Sequence, residues 1–219
     1  MIDFHSHLLY GVDDGVKDRE GSLKALEEYR ALGIIRGIVF TPHIYNPYVK
    51  TNVKAIRTVF EDLQAEAEGM GIRTWLGAEL FVRYQELKTI PAFGRFALCE
   101  FDVYNEPLGF ADRIDRDLVE GQGLDVILAH VERYEWLEPG SAKARQLKER
   151  GYLFQVNASD VWPEEKKTTA RWLASGMVDM FATDNHGRAP GLPEVLLRAC
   201  ERYPDVVSRM NEIENAVTA

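Results

Sequence analysis

The chain is poor in cysteine, with only Cys99 and Cys200 among its 219 residues. Two thiols so far apart make no disulfide framework, and a reducing, cytoplasmic setting is expected. No apolar run approaches the roughly 20 residues that cross a bilayer, so membrane insertion is not expected. A cleavable leader is not expected either, because a strand-like segment and a polar motif begin almost at Met1. Basic residues are outnumbered, 26 Lys and Arg against 35 Asp and Glu, for a net charge of −9. Lacking a dense basic tract, such a surface repels nucleic-acid backbones. Repeats, low-complexity stretches and long charge blocks are also missing, which excludes collagen, coiled coil and extended disorder. What remains is 46% hydrophobic and 28% charged, suited to one domain over residues 1–219 with a sizeable core.

Short apolar runs alternate with amphipathic stretches to the end of the chain. Strands are expected at Ile2–Phe4, Ile34–Thr41, Ile72–Leu80, Phe96–Phe101, Val126–Ala129, Tyr152–Asn157 and Val178–Thr183. Helical periodicity marks Ser22–Leu32, with Gly33 as its stop, and Val53–Glu68, Phe110–Glu120, Ala142–Arg150, Glu164–Ala174 and Leu192–Glu214. This alternation is the signature of parallel βα units, in an open doubly wound sheet or a closed barrel. No glycine-rich turn follows the first strand, as a dinucleotide-binding sheet would need; it runs instead into His5-Ser6-His7. A barrel is therefore preferred, with its site at the C-terminal strand ends.

Histidine is scarce, and its placement is informative. All five residues, His5, His7, His43, His130 and His186, fall at or just past the end of an expected strand. In parallel βα folds those ends share one face, so residues distant in sequence converge. His5 and His7 share a strand face by their i,i+2 spacing, and Asp184 and His186 repeat it. Carboxylates accompany them: Asp13 and Asp14, Glu79, Glu100 and Asp184. One of the Asp13–Asp14 pair suits a turn role before Gly15. Imidazole mixed with carboxylate suits Mn²⁺, Fe²⁺ or Zn²⁺, and several carboxylates suggest more than one ion.

The segments DFHSHLLYGVDDG (Asp3–Gly15), TPH (Thr41–His43), GAEL (Gly77–Leu80), AHVERY (Ala129–Tyr134), QVNASD (Gln155–Asp160) and ATDNH (Ala182–His186) resemble the PHP (polymerase and histidinol phosphatase) metallophosphoesterases. Within them the chain is similar to the manganese-dependent protein tyrosine phosphatases encoded with bacterial capsule and exopolysaccharide genes. The resemblance spans nearly the whole chain. It implies a distorted (β/α)7, TIM-like barrel and three divalent ions, manganese before iron or zinc. By the same resemblance His5, His7, Glu79 and Asp184 hold one ion. Glu79, Glu100 and His130 hold a second, and Asp14, His43 and His186 belong to the third. A hydroxide bridging two ions attacks phosphorus, and Arg133 binds the phosphate. Arg188 follows His186 by two residues, closer than the family's arginine, which leaves both a phosphate contact and a rim salt bridge open. The implied partner is a phosphotyrosine protein, the tail of a bacterial tyrosine kinase; oligomeric state is open.

Rival chemistries are weaker. A cysteine phosphatase needs a reactive thiolate in an anion-binding loop, whereas Cys99 lies in an apolar strand and Cys200 in a helix. An amidohydrolase commonly carries a lysine at the fourth strand end and a histidine at the sixth, where this chain has Glu100 and Asn157. A small phosphate ester such as histidinol phosphate remains an alternative substrate, and a metal-holding scaffold without turnover an alternative role. Tyr10, Tyr45, Tyr48 and Tyr104 are candidates for an aromatic platform at the mouth. Asn157 and Ser159 are candidates for hydrogen bonds behind the ligands.

Overall fold

The computed structural model describes residues 1–218; Ala219, the last residue of the expected domain, lies outside them. Nine strands run in the order β1 (Ile2–Ser6), β2 (Gly37–Phe40), β3 (His43–Ile44), β4 (Arg73–Leu76), β5 (Glu79–Phe81), β6 (Phe96–Glu100), β7 (Asp125–Leu128), β8 (Leu153–Asn157) and β9 (Met180–Ala182). The helices are α1 (Arg19–Leu32), α2 (Ile56–Gly69), α3 (Phe110–Ile114), α4 (Ala142–Glu149), α5 (Lys167–Ala174), α6 (Leu192–Arg202) and α7 (Pro204–Thr218).

All strand pairings are parallel, in the orders β1-β2-β4 and β3-β5-β6-β7-β8-β9. The break between the two sheets is local. Pro42 and Gly77 interrupt two long strands, so β2 and β3 are halves of one course and β4 and β5 of another. The ladder bridges the gap through Gly77 N–H to Phe40 O (2.8 Å) and Glu79 N–H to Pro42 O (3.1 Å). Last and first strands are joined by Asp184 N–H to His5 O (2.9 Å) and His7 N–H to Asn185 O (2.8 Å). The result is a ring of seven parallel courses, with irregular register between Asp3 and Ser6. Its C-terminal ends, the expected location of a site, form one mouth.

Most expected elements form, with shifted ends. α1 begins three residues before Ser22 because the Asp18 side chain accepts the Gly21 N–H and caps it. It stops at Gly33, whose left-handed φ of 70° suits glycine. Its buried stripe is Ser22, Ala25, Leu26 and Tyr29, rotated from the Leu23–Leu32 face expected. The expected Phe110–Glu120 helix changes character, α-helical to Ile114 and then a wider π-helical turn over Asp115–Glu120. The expected Leu192–Glu214 helix divides at Tyr203, because Pro204 cannot continue α6 and instead opens α7. The segment expected to start a helix at Glu164 becomes helical only from Lys167.

A buried polar knot locks the closure of the ring. Asp3 is fully buried and accepts bonds from Tyr29 Oη (2.6 Å), Thr183 Oγ1 (2.5 Å) and Thr183 N–H (3.0 Å). Burial pushes the Asp3 carboxyl up, and the Thr183 and Tyr29 bonds pull it partly back. Tyr29 sits on α1, Asp3 on β1 and Thr183 just past β9, so one carboxyl ties a helix to both strands of the seam. Tyr29→Phe removes one donor from this dry carboxyl and is expected to cost about 1–3 kcal/mol. That corresponds to a melting temperature lower by roughly 3–10 °C. A thermal scan superimposable on that of the unaltered protein would refute the knot's importance.

Candidate metal centre

Each strand course feeding the mouth delivers a polar side chain. β1 supplies His5 and, one residue beyond its end, His7; their Nε2 atoms lie 3.1 Å apart. β3 and β5 begin with His43 and Glu79, which are register partners. β6 ends with Glu100. His130 follows β7, and Asp184 and His186 follow β9. His130 (φ 32°) and Asp184 (φ 51°) are held in the left-handed region, where non-glycine residues are uncommon and strain concentrates at functional sites.

These groups interlock. Glu79 Oε2 lies 3.3 Å from His5 Nε2, 3.2 Å from His7 Nε2 and 2.9 Å from His43 Nδ1. Its other oxygen, Oε1, is 2.9 Å from His130 Nε2. Asp184 Oδ1 is 3.4 Å from both His5 Nε2 and His7 Nε2. Asp14 Oδ1 is 3.5 Å from His43 Nε2 and from His186 Nε2. Three overlapping groups could each hold an ion: His5, His7 and Asp184; His43, Glu79 and Glu100; and His7, Asp14, His43 and His186.

The middle group differs from the expected one. His43 approaches Glu100 to 3.3 Å, whereas His130 stays 3.9 Å from it. His43 presents both ring nitrogens, one to Glu79 and one to Asp14, and thus stands between two of the groups. Glu79 lies within 3.3 Å of four imidazoles.

Surrounding residues aim the imidazoles. His5 Nδ1–H donates to Gln155 Oε1 (3.1 Å), His7 Nδ1–H to Asp13 Oδ2 (2.8 Å) and His186 Nδ1–H to Asp184 O (2.9 Å). In each case Nε2 faces the centre with a lone pair to give. Asp13 also accepts Gly15 N–H (3.0 Å) and His43 N–H (2.9 Å), which assigns the turn role to Asp13 and leaves Asp14 at the mouth. Gly15 has no room for a side chain, since a Cβ there would lie 2.0 Å from His7 O. Asn157 Nδ2 donates to Asp184 Oδ2 (2.9 Å), as expected of it, whereas Ser159 is exposed and takes no part.

Some contributors carried too weak a signal in the sequence. Gln155 holds both His5 and the His130 N–H (3.0 Å), but a glutamine inside a strand resembles any other polar strand residue. Asn46 Nδ2 donates to Glu100 Oε2 (2.8 Å) from a loop with no regular pattern. Glu132 is buried, accepts Asn157 N–H (3.1 Å), and is pushed up to about 7 by burial. Its place between His130 and Arg133 was the one available hint.

The two arginines differ. Arg133 Nη2 donates to Asp184 Oδ2 (2.8 Å), and its half-open side chain makes no other hydrogen bond among the described residues. Arg188 pairs with Asp14 Oδ2 (2.8 Å) on the rim. Of the tyrosines, Tyr10 is turned away onto Asp62, and Tyr45, Tyr48 and Tyr104 are exposed. Cys99 and Cys200 are buried, and burial pushes both thiols up, unlike a nucleophilic cysteine.

The donor set fits divalent cations. Buried His43 Nδ1, His130 Nδ1 and Glu79 Oε2 have no hydrogen-bond partner. Buried polar atoms left unsatisfied call for a missing partner, and His43 Nδ1 and Glu79 Oε2 lie 2.9 Å apart within the group that includes Glu100. Burial opposes charge on Glu79 and Asp184, yet the crowded imidazoles hold both carboxyls well below the usual range. Burial likewise opposes a proton on His43, but Glu79 above all raises it to about 10. Without a metal, protons are the counter-charge.

The residues 1–218 match the family model described as capsular polysaccharide synthesis, CpsB/CapC. The chain belongs to that CpsB/CapC family. It is 29% identical to the tyrosine-protein phosphatase CpsB of Streptococcus agalactiae, covering 99% of this chain and 96% of the relative. It is 24% identical to the tyrosine-protein phosphatase YwqE of Bacillus subtilis, covering 85% and 77%. A solved structure from work on YwqE of Bacillus subtilis and CpsB of Streptococcus pneumoniae, described as unique metal-dependent tyrosine phosphatases, superposes with a TM-score of 0.76 at 24% identity. It covers 92% of this chain and 87% of the other.

A proton-for-metal exchange has a pH signature. His43 binds its proton more tightly folded than unfolded, so that stabilisation is complete below about 6.5 and is lost as pH rises toward about 10. The chelator-treated protein is expected to show a urea midpoint that falls across this window. Addition of Mn²⁺ is expected to restore the midpoint at the alkaline end and to release protons into a weakly buffered solution. A midpoint that climbs with pH in the chelated protein would contradict the assignment.

Proposed function

We propose that this chain is a metal-dependent phosphatase acting on phosphotyrosine in proteins. The carrying observation is the convergence of His5, His7, His43, His130, His186, Asp14, Glu79, Glu100 and Asp184 at one barrel mouth, with buried donor atoms lacking partners. Membership in a family whose relatives carry the tyrosine-protein phosphatase name supports the same reading. The residues would hold three divalent ions, and their nitrogen and oxygen mixture favours manganese, with iron or zinc as substitutes. The domain would comprise residues 1–219, act in the cytoplasm and serve the tail of a bacterial tyrosine kinase.

Bound ions would supply Lewis acidity and lower the pKa of water at the site. The protein's own part is positioning. Asp13 and Gln155 fix the faces of His7 and His5, and Asn157 and Arg133 hold Asp184 from its outer oxygen. Arg133 has planar donors to spare for phosphate oxygens, and its link to Asp184 sets the guanidinium beside the cage. Water adds to phosphorus and the bond from phosphorus to the phenolic oxygen breaks. The departing phenolate, with a pKa of about 10, asks little of a proton donor. Arg188 offers a second cation at the rim, where its pairing with Asp14 would steady a ligand of the third ion.

Elemental analysis alongside hydrolysis of a phosphotyrosine peptide tests the reading. Arg133→Ala is expected to keep its metal content and lose about 10²–10³ in kcat, the usual loss for one donor to a developing anion. His130→Ala is expected to lose metal and activity together while remaining folded. Chelation is expected to abolish turnover, with Mn²⁺ restoring it. Full turnover in the metal-stripped protein would end the proposal.

A further inference from the structure

Beside the candidate centre lies a groove that the chemistry above does not use. It is about 150 Å³, and Tyr48, Phe81, Arg83, Tyr84, Asp102 and Pro107 are among its walls. A space of that size accepts one side chain the size of a benzene ring. Its walls come from the loops after β3, β5 and β6, on the same mouth as the metal centre. Among the described residues, the large apolar side chains left exposed fall mainly in those three loops. Tyr48, Tyr84, Tyr104 and Leu108 are 71–81% exposed, whereas Tyr45 and Val53 line a neighbouring pocket and Ile34 and Trp162 lie apart. Such clustering marks an interaction surface.

The groove is physically continuous with the centre. Asn46 Nδ2 donates to Glu100 Oε2 (2.8 Å), and Asn46 Oδ1 accepts Tyr48 N–H (2.9 Å). The Tyr48 hydroxyl then donates to Asp102 Oδ2 (3.1 Å), two residues beyond Glu100. One wall of the groove is thus pinned to a candidate ligand.

Its lining holds one cation without an ion pair. Asp102 accepts from Tyr48 and from the Tyr104 and Asn105 amides and keeps its charge, and Glu106 pairs with Lys143. Arg83 is exposed and has no ion pair among the described residues. Behind Tyr84, 5.0 Å from its ring centre, lies Arg113, whose buried Nε and Nη2 have no hydrogen-bond partner. Aromatic walls with spare guanidinium charge select an apolar or aromatic neighbour together with a carboxylate.

The geometry points to this groove as the docking site for the peptide flanking the phosphotyrosine, with an acidic side chain set against Arg83 and its neighbours laid on Tyr48 and Tyr84. This rests on the phosphotyrosine-protein reading. Arg83 and Tyr84 act on which peptide binds, away from the reacting phosphorus.

The test is fluorescence anisotropy with the Mn²⁺-loaded protein. Two labelled peptides carry a non-hydrolysable phosphonate in place of phosphotyrosine, flanked by Glu in one and by Lys in the other. A small aryl phosphonate serves as competitor. The Glu peptide is expected to bind about fivefold or more tighter, the scale of an accessible ion pair added to avoided repulsion. Arg83→Glu is expected to reverse that order, and Tyr84→Ala to weaken both peptides. A Glu-to-Lys preference that survives Arg83→Glu overturns the groove assignment. If the aryl phosphonate binds while the peptides are not distinguished, only the groove falls. If nothing binds, including the aryl phosphonate, the phosphotyrosine reading falls with it.

Discussion

A buried carboxylate must be matched by positive charge, and the architecture of the mouth follows from that requirement. Glu79 has no exposure at all and Asp184 very little. Burying an ionised carboxylate in apolar surroundings without compensation is prohibitive. Five imidazoles gathered at one end of the barrel answer the charge only while they carry protons, and protonated imidazoles repel one another. His186 is driven below its ordinary value by burial first, and repulsion from the neighbouring His7 adds to the effect. Divalent cations resolve both conflicts, because they satisfy carboxylates and neutral imidazoles together.

That requirement was readable in the sequence because it restricts residue type as well as position. His5, His7, His43, His130 and His186 stood at strand ends, where apolar packing alone gives no reason for them. The number and order of strands were legible for the same reason: buried parallel strands read as short apolar runs. What stayed hidden was set by tertiary geometry. Nothing local says that Pro42 and Gly77 split two strands at the same height, or that His43 faces Glu100 more closely than His130 does. Asp13 and Asp14 look equivalent in sequence. Only the packing of Gly15 on His7 turns one inward and leaves the other on the rim.

The residues behind the ligands form a graded structure. Gln155 joins His5, His130 and Asn157, and Asn157 joins Asp184, so one strand, β8, aligns side chains arriving from three others. β8 delivers no candidate ligand of its own, and its role is alignment. The amide groups suit that role, since they offer donors and acceptors in fixed directions without adding charge to an already crowded site.

The seam between β9 and β1 has a temporal meaning as well. His5 and His7 precede the other strands, whereas Asp184 and His186 arrive only after those strands exist. On a ribosome the two groups that need Asp184 or His186 are completed only late in synthesis, although His43, Glu79 and Glu100 are all present by residue 100. Catalytic competence is thereby deferred until the circle of strands has been stitched shut, and a fragment released early is inert by construction.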